Sequence, residues 1–175
     1  MSNDGFVYLV DTMPVCGIED AIVQTAEIFY RRGEKKTSSS SHGRLIEEML
    51  HRNIYEPFKL VEFKFYIKMP ITIMHQHCGH RTTAVIGNIS PACEFFSPDS
   101  DNLIMVPNAT GELTVVFFWK TDLYDLLEYL KPRLVVGQPN TKEVHSYALA
   151  IFKILKRKVP TVMEAFLSTP THIKK

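Results

Sequence analysis

Between Lys68 and Arg81 the chain crowds His75, Gln76, His77, Cys78, His80 and Arg81 into one stretch, KMPITIMHQHCGHR. Two chemistries suit such residues. Imidazole and thiolate bind zinc, and an Arg beside a His offers charge-assisted hydrogen bonds to an anion. Spacing separates the two. Residues three or four apart share a helix face, so His77 and His80 lie on one face and His75 and Cys78 on another. A single ion does not collect all four, and no metal is expected. Gln76, Gly79, His80 and Thr83 line up on a polar, cationic side, which suits an anionic ligand gripped by His80 and Arg81. Gln76 adds a donor and an acceptor on one amide. The plainer alternative for each is a solvated helix face.

The elements that position these residues follow from the pattern around them. Val61, Phe63, Phe65 and Ile67 alternate with Glu62, Lys64, Tyr66 and Lys68, the period of a half-buried strand. Met69-Pro70 then breaks the ladder, because Pro has no N–H to donate, and a helix can start there. Such a helix carries Ile71, Met74, His75 and Cys78 on one side, and after it Ile86-Gly87-Asn88-Ile89-Ser90-Pro91 breaks regularity at Gly and Pro.

This stretch resembles the signature of the flavin-dependent thymidylate synthases. That family has a strand ending Lys-x-Pro-Ile, a helix carrying Arg-Gln, and then Arg-His-Arg-x-x-Ser-x-Asn-Glu-x-Ser-x-Arg-Tyr. The match here is Lys68-x-Pro70-Ile71, Gln76 and His80-Arg81-Thr82. HGRLIEEMLHRNIYEPF before it, and FFWKTDLYDLLEYLKPR and YALAIFKILKRKVPTVMEAFL after it, are similar to the family's flanking elements, so the resemblance covers most of the chain.

What the resemblance implies is an enzyme acting at C5 of a uridine nucleotide such as dUMP. FAD would accept hydride from NADPH and deliver it during methylene transfer from methylenetetrahydrofolate, since the cofactor carries the hard chemistry. His80 and Arg81 would hold the FAD, and Gln76 and Ser90 the substrate, the Gln amide suiting a pyrimidine edge. Arg133 would stabilise negative charge on the ring and make C5 nucleophilic. A homotetramer with sites built from several subunits is implied as well.

The chain also departs from the pattern. Gly79 replaces the first Arg of the motif, Asn88 its Glu, and Ala92-Cys93 its Arg-Tyr. The family loop before Pro-Phe carries a His and then a Thr or Ser that contact the flavin; Ile54 and Glu56 stand there. The Asn, Arg and Asn of the following helix are Asp122, Tyr124 and Glu128, and the His that follows the activating Arg is not in place. Only Leu103–Thr114 intervenes where the family has a long helical segment. Two further readings therefore stand beside the enzyme: a relative with changed substrate or cofactor, and a non-catalytic nucleotide-binding or assembly protein. Glu128, five residues before Arg133, is a competing partner for that Arg.

Composition bounds the rest. A chain of 175 residues reads as one domain, 1–175, able to bury a core without staples. A net charge of +1 gives no global basic field, so no nucleic acid is expected. Cys16, Cys78 and Cys93 are odd in number and lack a CxxC pair, which favours reduced thiols in a cytoplasm. No signal-peptide pattern opens the chain, and no apolar run approaches the roughly 20 residues of a membrane span.

The remaining elements read in order. Phe6–Asp11 is a strand and Met13–Gly17 a turn; Ile18–Arg32 is a helix with Ile18, Ile22, Thr25, Ala26 and Phe29 in phase. Gly33–Gly43 is a polar loop, and Arg44–Arg52 a helix with Leu45, Ile46, Met49 and Leu50 inward. Asn53–Phe58 is a loop; Thr114–Trp119 is a strand or a buried helix start. Asp122 caps a helix with Leu123, Leu126, Leu127 and Leu130 inward, which Pro132 ends. A helix from Asn140 to Lys158 buries Val144, Ala148, Ile151 and Leu155, and Thr161-x-x-Glu164 is a capping box for the last helix. The expected fold is α/β or α+β: a small, mainly antiparallel sheet flanked by helices.

Overall fold

The computed structural model describes residues 4–30, 42–78, 84–86, 100–108, 111–134 and 142–169. The elements in chain order are β1 (Gly5–Met13), α1 (Ile18–Tyr30), α2 (His42–His51), α3 (Glu56–Lys59), β2 (Glu62–Pro70), α4 (Ile71–Cys78), β3 (Ala84–Ile86), β4 (Leu103–Val106), β5 (Thr114–Asp122), α5 (Leu123–Leu134), α6 (Lys142–Lys158) and α7 (Pro160–Ser168). A 3₁₀ turn at Ser100–Asn102 leads into β4. The strands form one sheet in the order β3-β5-β2-β1-β4, every pair antiparallel.

Register explains which face is covered. Leu9, Phe65 and Trp119 sit side by side across the three central strands, and so do Val7, Ile67 and Phe117. All six are buried against the helices. Burying each large apolar side chain contributes about 1.5–3 kcal/mol. Phe65→Ala therefore costs about 3–5 kcal/mol once its cavity is included. The opposite row, Tyr8, Tyr66 and Phe118, faces away and is only partly covered. A bulge in β1 between Leu9 and Asp11 keeps this arrangement to the end of the strand. It shifts the alternation by one, so that Thr12 points inward and Asp11 outward.

The helical layer is built on the expected stripes. Leu45, Ile46, Met49 and Leu50 of α2 are buried, as are Leu123, Leu126, Leu127 and Leu130 of α5 and Val144, Ala148, Ile151 and Leu155 of α6. Tyr147 of α6 donates its hydroxyl to the Lys68 carbonyl oxygen at 3.1 Å. Gly5 is required beneath it, because a Cβ there would overlap the Tyr147 hydroxyl and the Lys68 carbonyl.

Several expectations are corrected. Thr114–Asp122 is a strand throughout, its nine residues paired with β2. The loop before Phe58 contains the one-turn helix α3, with Pro57 in its first turn where a missing N–H costs nothing. Strand β2 runs through Pro70, which is its last residue, and the helix begins one residue later. Ala84–Ile86, for which the sequence pattern offers no strand, pairs as an edge strand on β5. Phe29, expected on the inner phase of α1, is 65% exposed, and Val23 is buried instead. Helix α5 passes through Pro132 to Leu134. Finally, α7 has no capping box. It starts at Pro160, so Thr161 already lies in its first turn, and the Glu19 carboxylate from α1 accepts the Val162 N–H at 3.0 Å and the Thr161 hydroxyl at 2.7 Å. Arg31 and Arg32, expected in the last turn of the first helix, most of the polar loop and Asn140 lie outside the described residues.

Candidate functional site

Helix α4 is held at its start. The Ile71 N–H donates to the Leu113 carbonyl at 3.1 Å, and the Thr72 hydroxyl donates to a Glu112 carboxylate oxygen at 2.6 Å. From there Ile73 and His77, four apart, turn into the core, at 6% and 2% exposed. Ile71, Thr72, His75 and Gln76 face outward. Of the residues expected to share one side, Ile71 and His75 are exposed, while Met74 packs partly buried against the core. His75 and His77 also diverge, one outward and one inward.

Helix α5 follows β5 directly. Asp122 Oδ1 accepts the Asp125 N–H at 2.8 Å and caps the first turn, as expected. Burial raises the Asp122 carboxyl above its usual range, against the lowering from that hydrogen bond. Continuation through Pro132 puts Arg133 four residues from Tyr129, one turn along the same face. Arg133 Nη1 donates to the Tyr129 carbonyl at 2.9 Å, and its guanidinium carbon lies 4.0 Å from the Tyr129 ring centroid.

Helices α4 and α5 meet at Tyr129. Its hydroxyl is 3.0 Å from His77 Nδ1. Edge-to-face contacts enclose the pair: His77 to Trp119 at 4.2 Å, His77 to Tyr129 at 4.9 Å and Trp119 to Tyr129 at 5.2 Å between centroids. Burial pushes the Tyr129 hydroxyl up to about 12, against a lowering from Arg133. At neutral pH it is a phenol.

Of the residues expected to carry chemistry, Gln76 lies exposed on α4 and Arg133 lies half-buried at the end of α5. His77 and Tyr129 connect the helices that carry them. His80, Arg81 and Ser90 lie outside the described residues. Glu128 is not the partner of Arg133 among the described residues. Five positions along a helix is a turn of about 140° net, which points the two side chains apart. Glu128 instead lines a cavity of about 360 Å³ with Leu50, Tyr55, Leu127, Lys131 and Phe166. A His does reach Arg133, from farther along the chain. His145 Nδ1 of α6 is 2.8 Å from the Arg133 carbonyl oxygen, which can only accept, so the proton is on Nδ1.

The segment before Pro57 meets α5 at Tyr124. Tyr55 and Tyr124 rings are 4.6 Å apart, and the Lys59 ammonium lies 5.0 Å from the Tyr124 centroid. Burial first, and the Glu128 carboxylate second, raise both hydroxyls above their ordinary value. Ile54 packs against the core and Glu56 is exposed. The hydroxyl and imidazole that would meet a flavin are thus replaced by an aliphatic side chain and a carboxylate. This part of the donor set does not fit the flavin contacts that the resemblance implies.

Comparison with known proteins agrees with this architecture. Residues 8–92 match the family described as thymidylate synthase complementing protein. A flavin-dependent thymidylate synthase from Thermus thermophilus is 30% identical, with 94% of this chain and 76% of that protein covered. One from Ehrlichia ruminantium is 27% identical over 94% of this chain and 71% of its own length. This chain belongs to the flavin-dependent thymidylate synthase family, as a divergent member. The Thermus alignment runs over 214 residues against a chain of 175, so the relative carries segments with no counterpart here. Among solved structures, the UMP/dUMP methylase PolB from Streptomyces cacaoi, bound with 5-Br UMP, superposes with a TM-score of 0.68 at 17% identity. That match covers 95% of both chains, and it identifies the same α+β fold: a small antiparallel sheet flanked by helices. Among the described residues, no helix is long and apolar enough to cross a membrane.

Proposed function

We propose that this protein binds a uridine nucleotide, dUMP or its ribose counterpart, and acts at C5 by methylene transfer from methylenetetrahydrofolate. The observation that carries this reading is Arg133, pinned to Tyr129 beside the helix that bears Gln76. A guanidinium held in one orientation is suited to a charge that develops on a planar ring. Gln76 and Ser90 contact the nucleotide, and Arg133 polarises its base. Reduced FAD, replenished by NADPH, would supply the hydride. With Ile54 and Glu56 in the loop, the grip on FAD falls to His80 and Arg81. Family membership supports the reaction class, and the UMP or dUMP of PolB supports the nucleotide. A homotetramer is part of the proposal, as the family resemblance implies.

A second reading is favoured by the Tyr55–Tyr124–Glu128 cluster: a nucleotide-binding member of the family without flavin chemistry. Titration of FAD and of dUMP, each followed by fluorescence, separates the two. The enzyme reading expects both to bind, and expects Arg81→Ala to weaken FAD about ten- to a hundredfold through loss of a charge-assisted bond. Binding of dUMP without FAD selects the second reading, and binding of neither discards both.

A further inference from the structure

We propose that the His77–Tyr129 hydrogen bond is a positioning device that fixes Arg133 relative to the helix carrying Gln76. The inference rests on the reading in which Arg133 faces the base. Three contacts form one chain. His77 of α4 holds the Tyr129 hydroxyl at 3.0 Å. The Tyr129 ring lies beneath the guanidinium at 4.0 Å. The Tyr129 carbonyl takes the Arg133 Nη1 hydrogen at 2.9 Å. Both the plane and the reach of Arg133 are therefore set by one residue, and that residue is tied across 52 positions of sequence to α4.

Burial makes the tie stiff. Tyr129 and His77 are each 2% exposed, wedged against Trp119, so neither ring can swing away without opening the core. The phenol stays protonated throughout the neutral range. It can serve as donor or acceptor to Nδ1 there, whichever tautomer His77 adopts. A displacement of α4 is thereby passed to Arg133 rather than absorbed. Catalytic groups lose rate steeply when misplaced by even an ångström, so His77 and Tyr129 act on the reaction without touching the substrate.

The test uses full-length protein and four variants. Tyr129→Phe keeps the ring and removes the hydroxyl; His77→Leu removes the imidazole; His77→Asn restores a polar atom near the Nδ1 position; the fourth combines Tyr129→Phe with His77→Leu. Turnover of dUMP with FAD, NADPH and methylenetetrahydrofolate should fall roughly tenfold in Tyr129→Phe, in kcat with KM nearly unchanged. His77→Leu should match it, the combination should be no worse than His77→Leu, and His77→Asn should recover most of the rate. A merely structural pair predicts lower melting temperatures with unchanged kcat, and that result overturns the inference. The Arg133 side-chain Nε–H resonance is read in parallel, assigned with Arg133→Lys. It should broaden in Tyr129→Phe as the guanidinium gains freedom. If the parent turns over nothing, the reading of the reaction fails, and this resonance alone decides the positioning claim: an unchanged signal overturns it.

Discussion

Tyr129 clasps the Arg133 guanidinium twice, the ring under its central carbon at 4.0 Å and the carbonyl on its Nη1 at 2.9 Å. Glu128, the nearest carboxylate in sequence, turns to the other side of the helix and faces Tyr55 and Tyr124 instead. Its removal should register there. Glu128→Gln lowers the titration midpoints of those two tyrosines toward their ordinary value, seen in ultraviolet absorbance during an alkaline titration. It leaves Arg133-dependent turnover in place. A loss of turnover comparable to Arg133→Ala would assign the carboxylate to the arginine after all.

High pH should unfold the protein through its buried phenols. Tyr129 is raised from 10.0 to about 12, and Tyr147 is raised further still by burial. The folded state holds these protons more tightly than the unfolded chain does. The resulting stability is therefore complete below pH 10 and is lost as pH rises through about 12. Each such group removes up to about 1.4 kcal/mol per pH unit in that window. Thermal melts between pH 9 and pH 12 should show a steep fall for the parent and a shallower one for Tyr129→Phe. Parallel curves would show that Tyr129 ionises without regard to folding.

The start of α7 is held by a residue 142 positions away. Glu19 accepts both the Thr161 hydroxyl and the Val162 N–H, at the end of a helix where a negative charge is favoured. Glu19→Ala should cost about 1–2 kcal/mol by urea denaturation. Glu164→Ala, at the exposed position that a capping box would use, should cost almost nothing. The reverse ranking would restore the local cap.

These contrasts show where sequence speaks and where it is silent. The alternation of Val61 to Ile67 and the leucine stripe of α5 are local patterns repeated over several turns or residues, and both are where the pattern put them. Ala84–Ile86 has three residues, too few for a period to show, and it exists because β5 offers an open edge. Pro132 reads as a stop, yet α5 continues through it to Leu134, and the two residues beyond it include Arg133. His77 shares a helical phase with buried Ile73, a signal available in the sequence. Its contact with Tyr129 is not available there, because no periodicity spans the gap. His145 illustrates the same point: it is absent from the place next to Arg133 in sequence and present beside it in space.

The release of tritium from C5-labelled dUMP tests the account most directly, because the label leaves only when a new bond forms at C5. Full-length protein is incubated with labelled dUMP, FAD, NADPH and methylenetetrahydrofolate, alongside Arg133→Ala and Arg133→Lys. The account predicts release by the parent, a fall of roughly a hundred- to a thousandfold in Arg133→Ala, the range for one electrostatic donor, and poor rescue by Lys, which lacks the planar fork. Contradiction would be a parent that binds dUMP and releases no tritium, or an Arg133→Ala protein that releases it at the parent's rate.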